Sequence, residues 1–142
     1  MADALTLEPY AAALRWRSRQ HAAGSDWEEL LAGFARSLAR RAVGAGFPLI
    51  GHIKGLALEP GGRWLRVSVV SAEREPSVEG SLPDGLTELE FTLNVLSYGL
   101  PRQISDRLVR DEAAGQRPRW ECDVAAGSGF LQEAAFGARG HP

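Results

Sequence analysis

The sequence predicts an α+β domain, a three-stranded antiparallel sheet with helices packed on one face, in the order α-β-β-β-α over residues 25–115. Three observations carry this expectation. An apolar stripe of helical period begins at Ser25, three strand-like runs follow it, and Pro101 opens a second helical stretch that ends by Gly115. The chain has 142 residues, 44% apolar and 24% charged, with a formal net charge of −2. A chain of this length can bury roughly 70% of its unfolded surface, so its folding needs neither disulfide nor metal.

Residues 1–24 are expected to form an N-terminal arm helix, since Tyr10, Ala13, Leu14 and Arg17 fall on one side of a segment with good helix propensity over residues 9–22. The core domain, 25–115, starts with a capping box, Ser25 with Glu28 three residues on. Trp27, Leu30, Leu31, Phe34, Leu38 and Ala42 then recur at helical spacing. Arg40 and Arg41 suit the carbonyl end of the dipole, and Gly44 and Gly46 can take the left-handed conformation that stops the helix near residue 43.

Residues 49–58 and 64–72 read as antiparallel neighbours, because Glu59-Pro60-Gly61-Gly62-Arg63 suits a tight hairpin between them. The third run, 88–98, alternates cleanly, with Leu89, Phe91, Leu93 and Val95 on one face. Between the second and third runs, 73–87 holds Pro76, Gly80, Pro83 and Gly85. It reads as a solvated flap or, alternatively, a lid. In the C-terminal extension, 116–142, Trp120, Cys122 and Val124 alternate with acids as a short edge strand, before an apolar piece with Phe130, Leu131 and Phe136. Long bare edges are normally covered, so the strand edges and this extension are expected to pair with a second copy of the chain or with a partner.

Charge argues against a nucleic-acid binder. The net is +1 over residues 1–46, −3 over 47–100 and 0 over 101–142, and a phosphate-tracking groove needs a clear excess. The basic cluster Arg15-Trp16-Arg17-Ser18-Arg19 is too short to supply many phosphate contacts, and its arginine stems suit a helix surface. The lone Cys122 excludes an internal disulfide and fits a reducing compartment. The acidic start Met1-Ala2-Asp3 is unlike a signal peptide, and no apolar run approaches a membrane span, so a cytoplasmic location is expected.

No catalytic residue is assigned. His21, His52 and His141 lie far apart without a metal-ligand or nucleophile motif, and Lys54 follows Ile53 where a phosphate loop requires glycine. Acidic neighbours of Cys122 disfavour its thiolate. No metal site and no cofactor is indicated.

Pleat geometry does gather one constellation. If helices cover the face bearing Leu89, Phe91, Leu93 and Val95, then Glu90, Thr92, Asn94 and Tyr98 point the other way. The same alternation can bring His52 and Lys54 beside Arg66 and Ser68. His52, Lys54, Arg66, Ser68, Thr92 and Asn94 are therefore the candidate partner-binding residues. An antiparallel sheet also commonly leaves one polar face in water, so the same pattern fits plain solvation.

The segment Pro48-Leu49-Ile50-Gly51-His52-Ile53-Lys54-Gly55-Leu56, with the Gly61-Gly62 hairpin, the strand 65–70 and the strand 89–98 ending in Gly99-Leu100, resembles the small domain that follows the GTPase module in CobW-type P-loop GTPases. The resemblance spans about residues 25–115 and implies an accessory role in metallocentre or cobalamin-related assembly. The family's nucleotide loop and cysteine-rich metal motif are missing. Only His52, within Gly51-His52-Ile53-Lys54, carries over as a candidate contact.

The reading is therefore a non-catalytic binding or assembly module whose partner is another protein or a second copy of itself. Nucleic acid and membrane are not the expected partners. The alternatives are an RNA-binding domain, because α-β-β-β-α is also the order of double-stranded-RNA-binding domains, and a small-molecule-binding domain with 73–87 as its lid.

Overall fold

The computed structural model describes residues 7–47 and 51–127. Its elements are β1 (Leu7–Ser18), α1 (Gly24–Gly44), β2 (His52–Leu58), β3 (Trp64–Val69), β4 (Ser77–Gly80), β5 (Glu88–Tyr98), α2 (Arg102–Ala114) and β6 (Trp120–Gly127). The six strands form one sheet in the order β4-β3-β2-β5-β1-β6. Every neighbouring pair is antiparallel. The class remains α+β, but the expected three-stranded α-β-β-β-α core is overturned: the sheet has twice the strands and begins before the first helix.

The largest correction is the arm helix. Residues 7–18 form β1, paired along its length with β5 on one side and β6 on the other. Tyr10, Ala12, Leu14 and Trp16 alternate into the core, all at 1% exposure or less. Ala11, Ala13, Arg15 and Arg17 take the opposite face. Helix propensity is a weak prior, and a strand with two partners gains enough packing to override it. Residues 7–18 are therefore no appendage but a strand inside the sheet.

The flap 73–87 is corrected in part. Ser77–Gly80 is the edge strand β4, held to β3 by backbone pairing, with all four residues exposed. A segment pinned into the sheet edge is no free lid. The Trp120 segment is an edge strand as expected, running on to Gly127. The apolar piece with Phe130, Leu131 and Phe136 lies outside the described residues.

Helix α1 buries the predicted stripe of Trp27, Leu30, Leu31, Phe34, Leu38 and Ala42. Its start lies one residue earlier than the Ser25 signal. Ala23 is the N-cap, and the Asp26 carboxylate accepts the Ala23 N–H at 2.8 Å, so Asp26 takes the part assigned to Glu28. The Gly24 N–H donates to Asp84 at 2.7 Å, which fastens the entry of α1 to the segment after β4. Pro101 is the N-cap of α2.

Both helices cover the same face of the sheet, where Trp16 meets Phe34 edge to face at 5.3 Å and Trp27 meets Trp120 at 4.6 Å. Gly55 of β2 lies under the Phe91 ring, where a Cβ would come within 2.0 Å of ring carbon Cζ. Among the described residues no helix is long and apolar enough to cross a membrane.

Candidate binding face

With both helices on one side, no described helix covers the other face of the sheet, here termed the open face, and its composition follows from the strand registers. Lys54 stands opposite Ser68 on β3 and Asn94 on β5, and Ser68 opposite Ser77 on β4. One row across the sheet thus reads Ser77, Ser68, Lys54, Asn94, Ala11, Gly127. The next reads Glu79, Arg66, Leu56, Thr92, Ala13, Ala125. His52 pairs with Leu96 at the edge of this zone.

The structure brings all six candidate residues onto this face. They are not equally available. Lys54 and Arg66 are exposed, His52, Ser68 and Asn94 are half-buried, and Thr92 is buried at 6% exposure between Leu56 and Ala13. Burial, then the positive charge of Lys54, holds the His52 imidazole below its ordinary pKa, so it is neutral near pH 7.

The arginines of this face are already partnered. Arg66 pairs with Glu79 at 2.9 Å and lies 5.3 Å from the Trp64 ring centre. Arg15 meets Glu88 at 3.3 Å and Glu90 at 3.8 Å. Arg17 meets Asp123 at 3.0 Å and Glu121 at 3.8 Å, and Arg19 pairs with Glu121. The Arg15-to-Arg19 cluster is therefore a ladder of ion pairs across β5, β1 and β6, and Trp16 between them points into the core. Lys54, by contrast, makes no ion pair or hydrogen bond among the described residues.

This ladder and the small-residue strip of Ala11, Ala13, Ala125 and Gly127 escape a reading that makes residues 9–22 a helix. The signal for them was the alternation of Tyr10, Ala12, Leu14 and Trp16.

Elsewhere, a cleft of about 530 Å³ is bounded by Glu8, Tyr10, Arg102, Gln103 and Asp106. Three of its polar side chains are engaged: Tyr10 Oη donates to Asp106 at 2.7 Å, Arg110 binds the same carboxylate at 2.9 Å, and Arg102 binds the Pro9 carbonyl at 3.1 Å. Burial and then the Asp123 charge push the Cys122 thiol up to about 12, so it stays protonated near neutrality. Among the described residues no group of three or more His, Cys, Asp and Glu could hold a metal ion, and His52 has Lys54 and Leu96 for neighbours.

No protein-family model, curated protein or solved structure matches this chain.

Proposed function

We propose that the chain is a non-catalytic binding module that takes an acidic segment of a protein partner on the open face, around Lys54. The observation that supports this is Lys54 itself. It is exposed and unneutralised among the described residues, while the neighbouring arginines are each held by a carboxylate. Ser68 and Asn94 on either side of it can donate hydrogen bonds to a carboxylate, and Leu56, Leu58 and Leu96 offer apolar contact beside them. A charged group at the rim sets partner choice and encounter rate, and the apolar neighbours add affinity.

The resemblance of residues 48–56 to the CobW-type accessory domain makes a metallocentre-assembly protein the first partner to try. The RNA-binding alternative loses its basis in element order, because the sheet begins with β1 and not with a helix.

Selection of displayed random peptides on the immobilised chain tests the proposal. Peptides with Asp or Glu beside Leu, Ile or Phe are expected to enrich on the wild type and to be lost on Lys54→Glu and on the double change His52→Ala, Lys54→Ala, with melting unchanged. No enrichment, or enrichment that survives Lys54→Glu, would overturn it.

A further inference from the structure

Strand β4 ends the sheet on one side, and its outer edge is bare. The Ser81 N–H donates to the Trp64 carbonyl at 3.0 Å, and the register runs on through Glu79 opposite Arg66 and Ser77 opposite Ser68. Bonding along an antiparallel strand alternates, so residues 77, 79 and 81 turn their main-chain groups toward β3. Val78 and Gly80 therefore turn theirs outward. Those two N–H and two C=O groups meet no hydrogen-bond partner among the described residues, and all of Ser77–Gly80 is exposed. The opposite edge differs. On β6 the Trp120 N–H donates to the Gln116 carbonyl at 3.2 Å, and Arg110 of α2 binds the Val124 carbonyl at 3.4 Å, so main-chain groups that a further strand would need are already engaged.

The side chains along this edge specify what can join it. Val78 lies on the helix-covered side with Val67 opposite, and 42% of it remains exposed. Glu79 lies on the open-face side, where its Oε1 is held by Arg66 at 2.9 Å and its Oε2 has no partner among the described residues. Glu73 and Glu75 precede it, both exposed. From Glu73 to Asp84 the chain carries four carboxylates against Arg74 alone. A second copy would set that charge against its own, and like charges across a strand pair are destabilising. An aliphatic residue facing Val78, flanked by Lys or Arg beside Glu79, complements the edge instead.

We propose that β4 accepts a basic, extended segment of a protein partner as a seventh strand, bonded through the main chain to Val78 and Gly80, with aliphatic and basic side chains alternating over Val78 and Glu79. Main-chain pairing supplies the affinity, and the alternation supplies the selectivity. This inference is independent of the acidic-segment reading, because β4 lies two strands from β2 and the contact uses neither Lys54 nor His52.

The probe is the acetylated, amidated hexapeptide Thr-Lys-Val-Lys-Val-Thr, titrated against the ¹⁵N-labelled full chain. Amide shifts are expected at Ser77–Gly80 and along β3, with none on β6. Methylating the main-chain nitrogen of both peptide valines should weaken binding about tenfold or more, since it deletes donors and keeps the side chains. Val78→Pro should do the same at unchanged melting, because proline removes an N–H that β3 does not use. Glutamate in place of the two peptide lysines should remove binding. The proposal is overturned by no shift at millimolar peptide, by shifts centred away from β4, or by equal binding of the methylated peptide. A dimer that forms without peptide and is dissolved by Val78→Pro overturns it too, since a second copy would then hold the edge.

Discussion

Tyr10 of β1 donates its hydroxyl hydrogen to Asp106 of α2 at 2.7 Å, joining residues 96 positions apart. Tyr10 is 1% exposed, and Asp106 is the one hydrogen-bond partner its hydroxyl has among the described residues. Burial first, then the hydrogen bond to Asp106, pushes the phenol pKa far up. Tyr10→Phe removes one hydrogen bond and should cost about 1 kcal/mol. Asp106→Ala leaves the buried hydroxyl unsatisfied and should cost about 2 kcal/mol or more. Urea unfolding of the two variants checks the order, and equal losses would show that the hydroxyl is satisfied elsewhere.

Gly55 is a packing requirement. Any Cβ there meets the Phe91 ring, at 2.0 Å from Cζ, in a core where Phe91 is 0% exposed. Gly55→Ala should cost about 1–3 kcal/mol through overpacking, and Phe91→Leu in the same chain should recover part of that loss. Additive losses in the double variant, measured as a thermodynamic cycle, would refute the stated contact.

Gly33 is the opposite case. It lies inside α1, and a Cβ there would meet nothing within 4 Å. Gly33→Ala should therefore stabilise the chain by about 0.5–1 kcal/mol, since glycine in a helix interior loses more backbone entropy. A denaturation midpoint at or below the wild type would mean that the backbone at Gly33 is not the helix seen here.

The hairpin between β2 and β3 should carry a specific acid sensitivity. The Glu59 carboxylate accepts the N–H groups of Arg63 and Gly61, each at 2.9 Å, and those two bonds hold its pKa below the ordinary carboxylate value. A depressed pKa in the folded state means stability that is present above the unfolded carboxylate value, about 4.3, and lost as pH falls through the folded one. Glu59→Gln lacks that titration. The melting difference between wild type and Glu59→Gln should hold from pH 7 to 5 and shrink on going to pH 3. A difference independent of pH would remove Glu59 from the acid response.

How far the sequence discloses this molecule depends on whether an element's own side chains or its neighbours decide its form. Strand β5 is legible because Leu89, Phe91, Leu93 and Val95 alternate with polar residues, and α1 because its stripe repeats at helical spacing. The pleat period puts His52 with Lys54, Arg66 with Ser68, and Thr92 with Asn94 on one face of each strand, but that all six share the open face is decided by the registers of β2 with β3 and β5, where a slip of one residue would flip a whole strand. Strand β1 is not legible in this way. Its alanines at 11, 12 and 13 suit either form, and its partners β5 and β6 are far along the chain. Strand β4 has no alternating burial at all and exists through backbone pairing with β3. The β6 segment is legible as a strand, but not as an integral one. Trp120, packed on Trp27, makes it part of the core, so deleting 116–142 should damage the fold before it alters association.

The order of the strands also sets an order in time. Strand β1 leaves the ribosome before the other elements, yet the nearest pairing it makes, Arg17 with Glu88, lies some seventy residues later, and its other neighbour is β6. The hairpin of β2 and β3 can close as soon as it emerges. At about 5–20 residues per second, β1 waits several seconds for β5, holding Trp16 and Leu14 without a strand to cover them. Loop closure over that span must precede any gain from pairing, so the joining of β1 to β5 is the slow, non-local step of folding. In a cell, the earliest made of these six strands is the one a chaperone has longest to find.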